Sequence, residues 1–130
     1  MEPSSLKSLP LFASLSRKEL ALVARHADEI EIPAGRELVR EGEVAREFFV
    51  IVSGTATVSK KGEAVAELGP GDFLGEIGLL ETARRVATVT ADTPMHLLVM
   101  FGPEFTAVES EIDDLRKCIR QAIDKRMSID

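Results

Sequence analysis

The stretch Gly71-Asp72-Phe73-Leu74-Gly75-Glu76-Ile77-Gly78-Leu79-Leu80-Glu81-Thr82-Ala83-Arg84-Arg85-Val86-Ala87-Thr88-Val89 breaks the rhythm of everything around it. It runs from a glycine-rich turn, through a segment with room only for a very short helix, to an arginine just before a strand. Gly75 and Gly78 let a ligand approach the backbone closely, because no Cβ stands in the way. A helix that begins near Glu76 aims free N–H groups at whatever sits before it, and those groups, with the helix dipole, favour a phosphate. Arg85 adds a charged, bidentate partner for phosphate oxygens. Glu76, on the same short helix, is poorly placed for an anion, and its carboxylate is suited to accept from a sugar hydroxyl. The plainer readings are that Arg85 is a surface arginine ending a loop and that Glu76 is an acid favoured by the helix dipole. Arg84 reads as a solvated neighbour.

Around this stretch, from Glu29 to Met100, apolar runs are short and are punctuated by glycine and proline. The candidate strands are Glu29–Ile32, Arg36–Val39, Glu47–Val52, Thr55–Lys60, Ala64–Leu68, Val86–Ala91 and Met95–Met100. The turns between them are Pro33-Ala34-Gly35, Glu41-Gly42-Glu43, Ser53-Gly54, Lys61-Gly62 and Gly69-Pro70-Gly71-Asp72. Evenly spaced short strands predict an all-β barrel or two-sheet roll. The glycine-containing turns Ser53-Gly54 and Lys61-Gly62 fit tight reversals between neighbouring strands.

Both ends read as helical. Over Leu6–Ala27, Ser16 is followed three residues later by Glu19, a capping box, and Leu20, Val23, Ala24 and Ala27 recur at helical spacing. Leu9-Pro10-Leu11-Phe12 forms an apolar elbow before it. Over Pro103–Met127, Ile112, Leu115, Ile119 and Ala122 follow a 3-4-3 pattern, with Ile123 and Met127 nearby. Acids crowd the start of this tail and bases its end, as the helix dipole favours.

The chain has 130 residues, enough for one domain, and 45% of them are hydrophobic. There is no Trp or Tyr and there are six Phe, so Leu, Ile and Val must fill the core. The formal net charge of −6 disfavours direct nucleic-acid binding, though not one anion held in a locally positive pocket. The lone cysteine, Cys118, excludes an internal disulfide or a cysteine-rich metal cluster, and reads as a small apolar residue on the final helix of a reduced, cytoplasmic protein. No apolar run is long enough to span a membrane. His26 and His96 stand alone, without a cluster that would make them metal or haem ligands. No paired nucleophile and base, zinc-protease signature or phosphate-binding Walker loop is present, so no catalytic residue, metal or cofactor is expected.

The segment Gly75-Glu76-Ile77-Gly78-Leu79, a loop, then Arg85-Val86-Ala87 resembles the phosphate-binding cassette of the cyclic-nucleotide-binding domain family, the fold of catabolite-activator-like proteins and of regulatory subunits of cAMP-dependent kinase. The Leu9–Phe12 elbow, the Pro33-Ala34-Gly35 and Glu41-Gly42-Glu43 turns, Phe49–Gly54 and Gly69–Phe73 are similar to other landmarks of that family, so the likeness covers nearly the whole chain. It implies a mainly β fold: an eight-strand, jelly-roll-like β-roll with N-terminal helices, the short cassette helix and a C-terminal helix. Residues 1–130 would form one domain, with a helical segment over 1–27, the roll over 28–101 with its cassette over 71–89, and C-terminal helices over 102–130.

The resemblance further implies that Arg85 pairs with a cyclic phosphate and that Glu76 accepts from the ribose 2′-hydroxyl. Backbone N–H groups of Ile77, Gly78 and Val86 would cradle the phosphate beside Gly75, with Phe73, Leu74 and Val89 near the sugar and base. Val86 has no hydroxyl with which to bond a guanine amino group, which leans the ligand toward cAMP over cGMP. The final helix would serve as a lid over the base or as the seam of a weak homodimer. No helix-turn-helix follows it, so DNA contact is not expected, and the output would pass to a downstream protein. The competing reading keeps the fold and drops the ligand, leaving a docking or dimerisation platform.

Overall fold

The computed structural model describes residues 1–127. Residues 128–130, which close the expected C-terminal helical segment, and the side chain of Met127 lie outside the described residues.

The two most apolar strands organise the molecule. In β3, Glu47–Ser53, the run Phe48-Phe49-Val50-Ile51 is buried without a break, and in β8, Met95–Phe101, so is Leu97-Leu98-Val99-Met100. Such continuous runs mark a sheet covered on both faces. The alternation sorts them. Phe49, Ile51, Leu97 and Val99 face the opposite sheet, whereas Phe48, Val50, Leu98 and Met100 face the helices. Each fully buried side chain of this size stabilises the fold by about 1.5–3 kcal/mol.

β3 and β8 pair antiparallel at the centre of one sheet, flanked by β1, Asp28–Ile32, and β6, Phe73–Leu74, in the order β1-β8-β3-β6. The second sheet holds β2, Glu37–Val39, β7, Thr88–Ala91, β4, Ala56–Lys60, and β5, Glu63–Leu68, in the order β2-β7-β4-β5. Among the described residues no helix packs over its outer face, and β5 is exposed almost throughout. The result is an eight-strand β-roll of two antiparallel sheets. Seven strands match the candidates read from periodicity to within two residues; β6, only two residues long, carries no periodicity to read.

The helices cover the β3–β8 sheet. The N-terminal segment is not one helix but three pieces: α1, Pro3–Leu6, a 3-10 turn over Pro10–Phe12, and α2, Arg17–His26. Pro10 lacks an amide donor and holds Leu9 extended, with φ −86° and ψ 129°, so the chain must restart. The Ser16 cap is formed in both directions: Ser16 Oγ accepts from the Glu19 amide at 3.1 Å, and Glu19 Oε1 accepts from the Ser16 amide at 2.9 Å.

The C-terminal segment is likewise two helices, α3, Gly102–Glu111, and α4, Asp113–Met127. Ile112 separates them in an extended conformation, φ −118° and ψ 100°, with its side chain fully buried. Asp113 and Asp114 then open α4, where the dipole favours acids. Leu115, Ile119 and Ile123 join Ile112 in the core beneath α2 and β3, Ala122 is half-buried, and Cys118 lies on the exposed face rather than in the apolar stripe. None of the helices among the described residues is long and apolar enough to cross a membrane.

Candidate functional site

The cassette residues sit where β6 leaves the first sheet. Glu76 and Ile77 begin a short turn of helix that continues as a wide π-turn over Gly78–Thr82 and stops at Ala83, whose φ is 64°. Gly75, just before it, has φ 102°; a Cβ there would stand 2.6 Å from the Glu47 carbonyl oxygen and 2.9 Å from Arg85 Nη1. Only glycine fits that conformation and that approach together.

Arg85 is placed by the Glu41-Gly42-Glu43 turn. Its amide donates to the Glu43 carbonyl at 2.8 Å, and its carbonyl accepts from the Gly42 amide at 2.9 Å. The side chain, 7% exposed, donates from Nη2 to the Glu47 carbonyl at 2.8 Å and from Nη1 to the Gly75 carbonyl at 3.4 Å. The Glu47 carboxylate stands 3.6 Å from Nη2. Burial pulls the Arg85 guanidinium below its ordinary pKa, with Glu47 and Glu76 pulling the other way. Arg84, by contrast, is exposed and donates to the Gly42 carbonyl at 2.9 Å.

Glu76 is 1% exposed. Its Oε1 accepts from Nη1 of Arg126, near the end of α4, while Oε2 is buried and has no donor among the described residues. Burial raises the carboxyl above the usual carboxylate range, opposed chiefly by the charge of Arg126 and, further down, that of Arg85.

Both residues open onto one cavity of about 260 Å³ between the two sheets, on the β5–β6 side. Of the expected site residues, Leu74, Gly75, Glu76, Ile77, Gly78, Arg85, Val86 and Val89 line it. Phe73 does not. Its ring packs against Phe48 at 5.7 Å between centroids, and Arg126 lies over it at 5.1 Å. The rest of the wall escaped a reading confined to the cassette: Val58 and Lys60 of β4, Val65 and Leu68 of β5, and Arg126. Three cations and one carboxylate face an otherwise apolar space, so a chain of net charge −6 holds a locally positive pocket. No Ser or Thr side chain is among the described lining residues.

The remaining titratable candidates are taken up elsewhere. His26 Nδ1 pairs with Glu104 at the α2–α3 contact, and His96 Nε2 lies 3.1 Å from Glu29 across β1 and β8. Among the described residues there is no group of His, Cys, Asp and Glu side chains arranged to hold a metal ion.

Comparison with known proteins bears on the same residues. Residues 29–111 match the family model described as the cyclic nucleotide-binding domain. A cyclic nucleotide-gated potassium channel of Rhizobium etli is 35% identical over 120 residues, 92% of this chain and 34% of the channel. A cAMP-dependent protein kinase regulatory subunit of Eremothecium gossypii is 40% identical over 96 residues, 73% of this chain and 21% of that protein. This chain thus spans 34% and 21% of the lengths of these two relatives. The co-crystal structure of the regulatory domain of Toxoplasma gondii PKA with cAMP superposes with a TM-score of 0.80 at 22% identity, over 98% of this chain and 49% of that one, which shows a common fold. With the β-roll, the cassette and a match over most of the chain in agreement, the protein belongs to the cyclic nucleotide-binding domain family.

Proposed function

We propose that the chain binds a cyclic nucleotide, with cAMP preferred, and acts as a regulatory module rather than an enzyme. The observation that carries this reading is the pairing, in one apolar cavity, of a buried arginine with a buried glutamate whose Oε2 has no donor among the described residues. Arg85 takes the cyclic phosphate, with backbone N–H groups of Ile77, Gly78 and Val86 beside it. Glu76 Oε2 takes the ribose 2′-hydroxyl. The sugar and base lie along Leu74, Val86 and Val89 toward β4 and β5. The described lining residues include no hydroxyl to accept from a guanine amino group, which supports a preference for adenine. The regulatory subunits of cAMP-dependent protein kinase among the relatives support the same choice. On this reading residues 1–130 work as one unit in the cytoplasm, α4 moves with ligand, and a downstream protein reads that movement.

A second reading has one observation in its favour. Arg85 and Glu76 already carry protein partners, so a nucleotide-free docking module of this fold is self-consistent. Calorimetric titration with cAMP and cGMP separates the two. Micromolar or tighter cAMP binding, with weaker cGMP binding, supports the sensor; no heat with either nucleotide, and no thermal stabilisation by them, overturns it.

A further inference from the structure

Three cations line the cavity. Arg85 lies at the cassette and Arg126 donates to Glu76 and to the Phe73 carbonyl, whereas Lys60 has no part in the binding scheme above. Lys60 closes β4. Side chains two apart on a strand share a face, and Ala56 and Val58 pack in the core between the sheets, so Lys60 turns inward at the end of the same row. β4 runs beside β7 without a slip, with Val58 opposite Val89 and Ser59 opposite Thr88. The next position, Lys60, therefore comes level with Val86-Ala87, the segment that leads into β7.

The wall around Lys60 is built by a bulge. Val58 pairs with Ala66 and Ser59 with Ala64, which leaves Val65 as an extra residue on β5. Val65 and Ala66 are neighbours that a regular strand would send to opposite faces, yet both line the cavity. Val65 is nonetheless 55% exposed. An apolar side chain left in water at a cavity mouth is covered best by a flat apolar face, which a purine supplies. The other end of the cavity, at Gly75 and Arg85, takes the phosphate, so the Val65 end falls to the base.

A purine offers N7 as an acceptor whichever base it is. At position 6 adenine carries an amino donor, while guanine and hypoxanthine carry a carbonyl acceptor. An ammonium has donors only, so at this edge it favours the 6-carbonyl and opposes the 6-amino group. We infer that Lys60 is a specificity-determining residue that reads position 6 of the base and favours 6-oxopurines. It narrows the margin by which the site prefers adenine over guanine, whose 2-amino group still meets no hydroxyl among the described lining side chains. The inference rests on the ligand reading given above and deepens it.

Inosine 3′,5′-cyclic monophosphate (cIMP) isolates the contact, because it has the 6-carbonyl of guanine and lacks the 2-amino group. The test is calorimetric titration of wild type, Lys60→Met and Lys60→Arg with cAMP, cGMP and cIMP, with a thermal melt of each protein to confirm folding. Wild type binds cIMP at least as tightly as cAMP, and cGMP more weakly than either. In Lys60→Met the affinity ratio of cIMP to cAMP falls by about three- to tenfold, the worth of one hydrogen bond from a partly solvated donor, and the ratio of cGMP to cAMP falls in parallel. Lys60→Arg can span N7 and the 6-carbonyl with two donors, and it keeps or raises both ratios; a fall in that variant overturns the inference without recourse to Lys60→Met. Ratios unchanged in Lys60→Met, whether all three affinities drop together or none does, overturn it too and leave nucleotide binding standing. No wild-type binding of any of the three overturns the ligand reading as well.

Discussion

Arg85 Nη2 donates to the backbone carbonyl of Glu47 at 2.8 Å, while the carboxylate of the same Glu47 stands 3.6 Å away. The first residue of β3 thus aims the arginine with its main chain and neutralises it in part with its side chain. The two effects can be separated, because substitution of the side chain leaves the carbonyl in place.

Arg85→Ala removes the cation facing a bound phosphate. Loss of one partner of a buried charge pair costs about 3–5 kcal/mol, so cAMP affinity falls by roughly a few hundred- to a few thousand-fold. Glu47→Gln keeps the carbonyl contact and removes the competing negative charge. The Glu47 side chain is about a third exposed, and solvent screening limits the gain to about two- to fivefold in affinity. Calorimetry on both variants checks the opposite signs.

Gly75→Ala puts a methyl group against the Glu47 carbonyl and Arg85 Nη1 in a backbone conformation with φ 102°. Strain of this kind costs about 1–3 kcal/mol of stability. Because the methyl group displaces the arginine, cAMP affinity falls as well. Urea unfolding measures the first effect and calorimetry the second; a change in stability alone would show that Arg85 has room to adjust.

The pH dependence of the ligand-free fold carries the mark of Glu76. Burial raises its carboxyl in the folded state, against the pull of Arg126 from α4 and Arg85 beside β7. A raised carboxyl contributes stability that is complete below the ordinary carboxylate range and is lost as pH rises through the raised value. Glu76→Gln does not titrate. The stability difference, wild type minus variant, therefore shrinks as pH rises across that window and is flat above it. Urea unfolding of both proteins over a pH series reads this directly, and a difference that grows with pH contradicts it.

Val86→Thr places a hydroxyl on the cavity wall at a position now lined by an apolar side chain. One neutral hydrogen bond is worth about 0.5–1.5 kcal/mol, so cGMP affinity rises by about two- to tenfold with little change for cAMP. Competition of the two nucleotides for the variant measures the shift.

Ser16→Ala removes one half of the α2 capping box, far from the cavity. It lowers stability by about 1 kcal/mol and leaves nucleotide affinity unchanged. The pair of measurements, urea midpoint and calorimetry, serves as the control for the site variants.

Local chemistry by itself determined much of this protein. The Ser16–Glu19 box, the glycine turns and the strand candidates are encoded within a few residues, and the structure forms each of them where periodicity and turn chemistry place it, give or take two residues at strand ends. The cassette is equally local: Gly75, Glu76 and Arg85 lie within eleven consecutive positions, and one backbone path brings them to one cavity. Tertiary structure alone decided the rest. β6 is a strand only because Phe73 and Leu74 pair with Val50 and Phe49. The tail breaks at Ile112 because burying that side chain outweighs continuing the helix. Val58, Lys60 and Val65 reach the cavity from a hairpin with no motif of its own, and Arg126 meets Glu76 from a helix whose spacing advertises only an apolar stripe. These contacts join residues far apart in the chain, and a propensity or a period reports only on near neighbours.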